Sequence, residues 1–176
     1  MSLGFDLDVN QGLKISYKWL IKKIDCSLSG INKCHGKCCY EPIFWPGKVG
    51  EGGKCHFLLD FGCSLQKRMR PVTCLLYPFL IRNNTLILHF RALQICKVNY
   101  IKSELSDKVV IEETIFGKNK DNLIILFGKK NVNRIEKNLL LKKDTMIIID
   151  KKIIQLLNEE KKLYKEDKPY KPRLIN

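Results

Sequence analysis

Eight cysteines, Cys26, Cys34, Cys38, Cys39, Cys55, Cys63, Cys74 and Cys96, all fall in the first hundred residues of a chain of 176, and none follows them. Cysteine used as small buried apolar filler would be spread along the whole sequence. Thiols gathered into one half are instead metal ligands, redox groups or disulfides, and the redox compartment decides between them. The N-terminus, Met1-Ser2-Leu3-Gly4-Phe5-Asp6, has neither the basic start nor the apolar stretch of a secretory signal. The expectation is therefore a cytoplasmic protein in which metal ligation is favoured over disulfides. No apolar run approaches the roughly 18 residues of a membrane span, so no membrane partner is expected.

The segment that carries most of these thiols is a poor core by itself. Residues 25–55 hold Asp25, Ser27, Ser29, Gly30, Asn32, Gly36, Pro42, Pro46, Gly47, Gly50, Gly52 and Gly53. Such a stretch is rich in turn formers. It makes sense if ligation replaces apolar burial as its organiser, since a bound ion offsets chain entropy that packing there cannot. The densest point is Cys34-His35-Gly36-Lys37-Cys38-Cys39, with three thiols in six residues. Gly36 permits a tight turn, so sulfurs can converge and backbone amides can point at them. Cys55 follows Gly52-Gly53-Lys54, Cys63 follows Phe61-Gly62, and Cys74 closes Arg70-Pro71-Val72-Thr73-Cys74.

Zinc takes four N or S ligands in a tetrahedron, and soft thiolates suit zinc and iron–sulfur clusters alike. Six central thiols exceed one four-ligand site, and all eight allow two sites, a bridged pair, or one cluster with spare thiols. Adjacent Cys38 and Cys39 are expected to take different roles. Spacing alone does not choose among these arrangements, nor between zinc and iron.

The net charge is +14, with fourteen basic and six acidic residues before residue 101 and eighteen and twelve after it. Excess positive charge is the footprint of a nucleic-acid or other anionic partner. Thiolate ligands supply a competing account, because metal binding deprotonates them and leaves an anionic centre for nearby Lys and Arg to balance. Nucleic acid is thus possible as a partner but not favoured. The Lys pairs at 129–130, 142–143, 151–152 and 161–162 read as solvated helix faces with sparse aromatic interleaving.

Hydrophobic residues make up 45% of the chain, enough for a true core. Residues 13–24 read two ways: Leu13, Ile15, Tyr17, Trp19 and Ile21 alternate with mostly polar neighbours and favour a strand, while Leu13, Tyr17, Leu20 and Ile24 also fit a helical face. Residues 56–59 and 86–90 read as short strands, with Asn83-Asn84 as the turn before the second, and 108–113 as a third. A helix is expected over 118–127, closed by Gly128. Another spans 131–141, with Val132, Ile135 and Leu139 on one face. Met146 to Ile149 reads as a strand. Residues 151–165 form a last helix with Ile153, Ile154, Leu157 and Tyr164 on one side and Glu159, Glu160, Lys161 and Lys162 elsewhere. The fold class is α+β: residues 1–100 a Cys-rich metal-stabilised domain, 101–165 a helical or mixed extension packed on it, and 166–176, with Pro169 and Pro172, a loose tail.

The order Cys34-x3-Cys38-Cys39, Gly53-x-Cys55, Cys63, then Arg70-Pro71-x-x-Cys74-x-x-Tyr77-Pro78-Phe79, resembles the CxxCxxCC (YkgJ-like) family of zinc- or iron-chelating proteins. The Arg-Pro-x-x-Cys-x-x-Tyr-Pro segment is its more specific element, and Cys96 resembles a further cysteine often seen after the next strand. The likeness covers about residues 26–100. It departs in spacing: three residues precede the Cys38-Cys39 pair, and Ile31 stands three residues before Cys34. Cys26 is the candidate for the missing first thiol. The resemblance implies metal binding without a settled reaction. A similar pattern in flagellin lysine methylases implies an iron–sulfur cluster, so iron stays open beside zinc.

The expected ligands are therefore Cys34, Cys38, Cys39, Cys55, Cys63 and Cys74, with Cys26 and Cys96 as further candidates. His35 is either a ligand or solvent-facing, and His56 and His89 are structural, ligating or acid–base groups. Arg70 either offsets thiolate charge or binds an anion. The leading reading is a metal-binding protein with a structural or metal/cluster-carrier role. A closed all-thiolate site leaves no position for water and disfavours zinc hydrolysis. The rivals are an iron–sulfur-dependent enzyme, a basic nucleic-acid-binding module and a thiol redox protein.

Overall fold

The structure, a computed structural model, describes residues 12–24, 55–59, 62–89, 92, 98–99, 110–166 and 168–175. Strand β1 (Leu13–Ile15) buries Leu13 and Ile15 and exposes Lys14, the alternation of a sheet with one wet face. A single helical turn, α1 (Tyr17–Leu20), and the short β2 (Lys23–Ile24) follow. The strand expected over 13–24 thus survives only at its ends. Asp144, salt-bridged to Lys14 at 3.0 Å, accepts the Tyr17 N–H at 3.1 Å and starts the helical turn, which delivers Leu20 to the core. This long-range contact overrides the local alternation.

Next come β3 (Leu58–Leu59), β4 (Gly62–Cys63), a 3₁₀ turn at Lys67–Met69, and α2 (Val72–Leu76). Strands β5 (Phe79–Arg82) and β6 (Thr85–Leu88) form a hairpin around Asn83-Asn84. Both asparagines have positive φ, 46° and 52°, as a two-residue turn twisted to match its strands requires. The short β7 (Val98–Asn99) pairs antiparallel with β2.

Residues 111–113, expected as part of a strand, form a 3₁₀ turn instead. The Thr114 hydroxyl donates to the Ile111 carbonyl at 2.6 Å and accepts the Gly117 N–H at 3.1 Å, so it closes the turn and caps α3 (Ile115–Phe127). The helix begins three residues earlier than its apolar pattern predicts. Gly128 ends it at φ +78° and leads directly into α4 (Lys129–Leu140). Strand β8 (Thr145–Ile147) follows, and the Asp150 carboxylate accepts the Lys152 N–H at 2.8 Å to open the long α5 (Lys151–Lys165).

The four-stranded mixed sheet runs β5-β6-β1-β8, with β6 and β1 parallel and the other neighbours antiparallel. Register sets Ile81 opposite Leu86 and Leu86 opposite Ile15. One apolar core joins this face to the helices through Val72, Leu75, Phe116, Leu123, Ile135 and Leu157, drawing on residues before and after position 100. Arg134 donates to the Met146 carbonyl of the outermost strand β8. No helix among the described residues is long and apolar enough to cross a membrane.

The tail is not loose. Tyr170 and Ile175 are buried, the Ile175 N–H donates to the Arg68 carbonyl at 2.8 Å, and the Tyr170 hydroxyl bonds the Met69 carbonyl at 3.2 Å. Arg173 pairs with Glu159 on α5. Proline-rich polar composition signals a tail without its own core, but two apolar residues suffice to dock it on another.

Candidate metal centre

Beside the main core lies a smaller cluster. Cys55, Leu65 and Tyr170 are buried in it, and Phe57, Leu58, Cys63, Cys74 and Leu163 pack around them. Among the described residues the main core contains no cysteine, and the three described cysteines all belong to the smaller cluster.

Local backbone chemistry brings them there. The Leu58 N–H closes a turn on the Cys55 carbonyl at 2.9 Å, and the Ser64 N–H bonds the Phe57 carbonyl at 2.8 Å. The β3–β4 pairing sets Leu58 opposite Cys63, so the chain folds back on Cys55 within a few residues. The loop to α2 is braced by Arg70, whose Nε donates to the Leu65 carbonyl at 3.1 Å. Pro71 then precedes the first residue of α2, and Cys74 is its third. Arg70 thereby fixes the loop between two candidate ligands. The Tyr77-Pro78-Phe79 segment sends Phe79 into the main core.

Cys55, Cys63 and Cys74 are thiols, not disulfides. Among the described residues, no three His, Cys, Asp or Glu side chains form a group that could hold a metal ion. The other candidates, Cys26, Cys34, Cys38, Cys39 and Cys96, with His35, lie outside the described residues. The backbone leading toward two of them is paired: β2 ends at Ile24, two residues before Cys26, and β7 starts at Val98, two residues after Cys96, with Ile24 opposite Val98. His56 is exposed, its ring edge-on to Phe57 at 5.0 Å. His89 is buried at the end of the hairpin, its N–H on the Pro78 carbonyl at 2.9 Å.

The residue that sequence reasoning misplaced is Glu160. The sequence pattern places it away from the apolar side of α5, yet it is 2% exposed. Its carboxylate accepts the Val72 N–H at 2.7 Å, and the Thr73 N–H and hydroxyl at 3.1 and 3.0 Å. Those are first-turn donors of α2, left without partners by the helix itself. Burial pushes the Glu160 carboxyl up to about 7, against these hydrogen bonds and the charge of Arg173. Nearby Tyr170 is pushed up to about 12 by its own burial and then by the Glu160 charge, with a smaller contribution from Cys74. The signal was present: Ile153, Leu156, Leu157 and position 160 follow the i, i+3, i+4, i+7 rule, so Glu160 sits in the apolar stripe.

The Lys pairs at 129–130, 142–143 and 151–152 are exposed, as solvated helix faces should be. Among known proteins, no family model, no curated protein and no solved structure matches this chain.

Proposed function

We propose that this chain is a metal-binding protein that holds zinc or iron, as an ion or an iron–sulfur cluster, on thiolates drawn from its N-terminal half. Its role is structural or that of a metal or cluster carrier. The observation that carries the reading is the segregation of thiols. Cys55, Cys63 and Cys74 come from a turn, a strand and a helix and all lie in one small cluster, and among the described residues the main core holds no cysteine. Cysteine serving as apolar filler has no reason to avoid the larger core.

The donor set fits a soft or borderline metal. The apolar part of the small cluster, Leu65 and Tyr170 with partly buried Phe57, Leu58 and Leu163, is slight for the loops it organises. Cys55, Cys63 and Cys74 would supply part of the ligand set, and Cys34, Cys38 and Cys39 the rest, with Cys26 and Cys96 as a further pair. Bound zinc would supply cross-linking energy, and an iron–sulfur cluster would add electron transfer. The likeness of the cysteine order to the CxxCxxCC group points the same way.

Elemental analysis and an absorption spectrum of anaerobically purified protein test this. Tightly bound metal is expected, with visible charge-transfer bands for iron–sulfur and a colourless loaded protein for zinc. Cys74→Ser should lower both metal content and stability. Protein that purifies without metal, or a Cys74→Ser variant that retains it in full, overturns the reading.

A further inference from the structure

Helix α2 presents Cys74 to the thiol cluster, yet it is only five residues long. A helix of that length does not hold itself, because nucleation costs more than one turn of hydrogen bonds returns. Two things hold it from outside. Val72, Leu75 and Leu76 enter the main core and fix which side faces inward. Glu160, projecting from the fifteen-residue α5, grips the N-terminal end at Val72 and Thr73. The gripped residue Thr73 is the immediate neighbour of Cys74. Apolar packing tolerates small shifts, whereas three directional hydrogen bonds do not.

Resting on the metal-binding reading above, we propose that Glu160 is a positioning residue for Cys74: it ties the C-terminal helix to the ligand-bearing turn and thereby sets metal affinity. Stability alone is a poor explanation for a carboxylate there. Its neighbours along the same stripe, Leu156 and Leu157, are apolar, and a buried acid is commonly less favourable than a well-packed hydrophobe. Partners that orient metal ligands through hydrogen bonds typically contribute 10–100-fold in affinity, and Glu160 acts on the ligand's own helix turn.

The test uses the full chain, made anaerobically and titrated with Co²⁺ against a competing chelator. Thiolate-to-cobalt charge-transfer absorption reports the sulfurs, and far-UV circular dichroism reports the fold. Glu160→Gln keeps one acceptor but sets an NH₂ group against the Thr73 N–H. It should weaken Co²⁺ binding about tenfold or more and alter the charge-transfer bands with the helix signal kept. Thr73→Val removes only the hydroxyl bond and gives a smaller loss, and it serves if Glu160→Gln does not fold. Thr114→Ala, which uncaps the remote α3, is the control for general destabilisation and should leave Co²⁺ affinity unchanged. If wild type shows no cobalt–thiolate bands, the metal-binding reading itself fails. If wild type shows them and Glu160→Gln and Thr73→Val match it, or match Thr114→Ala, the positioning role alone is overturned.

Discussion

Replacing Tyr170 separates a docked tail from a merely adjacent one. Its ring is 4% exposed, packed with Cys55 and Leu65, and its hydroxyl donates to the Met69 carbonyl at 3.2 Å. Truncating a buried aromatic to alanine typically costs 3–5 kcal/mol, and a terminal segment can relax into the gap, so Tyr170→Ala should cost about 3 kcal/mol. Tyr170→Phe keeps the ring and loses the hydroxyl's bonds to the Met69 carbonyl and the Arg173 backbone, at about 1–2 kcal/mol. Because the phenol is pushed up to about 12, it remains a donor across neutral pH, and the Tyr170→Phe difference should be constant from pH 6 to 9. Urea unfolding of the metal-loaded proteins, with limited proteolysis after Lys165 and Lys168, measures both. A Tyr170→Ala cost below about 1 kcal/mol with no new cleavage refutes the docking, since surface changes of that kind stay within about 0.5 kcal/mol.

Gly117→Ala should destabilise strongly, by about 2–4 kcal/mol, because its Cβ would lie 2.1 Å from the Ile111 carbonyl oxygen and 2.8 Å from the Glu112 Cα, both backbone atoms; thermal unfolding checks this. Thr114→Ala should cost about 1–2 kcal/mol by uncapping α3, read by the same unfolding curves. Glu160 has a folded-state value near 7 against 4.5 in the open chain, so the folded form holds the proton more tightly. The stability this confers is full below pH 4.5 and is lost as pH rises through 7, by about 3 kcal/mol in all. Facing it are the Val72 and Thr73 donors of α2 and Arg173 and Tyr170 of the tail. Glu160→Gln should therefore flatten the profile, and an unchanged wild-type-minus-variant difference between pH 5 and 8 would exclude this titration.

Elements governed by local periodicity were legible in the sequence. Val132, Ile135 and Leu139 face the core as their spacing requires, α5 spans 151–165 as its pattern does, and Asn83-Asn84 turns where two αL-tolerant residues meet. Elements fixed by distant partners were not. The helical turn at Tyr17–Leu20 depends on Asp144, and the docking of Ile175 on the Arg68 carbonyl joins segments far apart in the chain. Glu160 was visible as a charge in an apolar stripe, but its use required knowing that α2 begins there. Of the candidate site, the sequence named the thiols; Cys55, Cys63 and Cys74 lie in one small cluster, but among the described residues no three donors form a group that could hold an ion.

The two clusters differ in what should hold them, and metal removal separates them. The main core contains Phe116, Leu123, Leu126, Ile135 and Leu157 from three long helices closed over a four-stranded sheet. Burying side chains of this size contributes about 1.5–3 kcal/mol each, so this part has its own source of stability. Among the described residues the small cluster has three buried members, one of them a cysteine. It meets the core through α2, whose Val72 and Leu76 belong to the larger cluster, and through α5, which sends Leu163 to the small cluster and Leu157 to the large one. Anaerobic chelation should therefore keep the helical far-UV signal while amide exchange rises over residues 55–70, with the step in protection falling near Val72. A chelated protein that loses α3, α4 and α5 together with residues 55–70 would mean that a single cooperative unit includes the thiols. One whose amides at 55–70 stay protected would mean that Leu65 and Tyr170 suffice there without any ion.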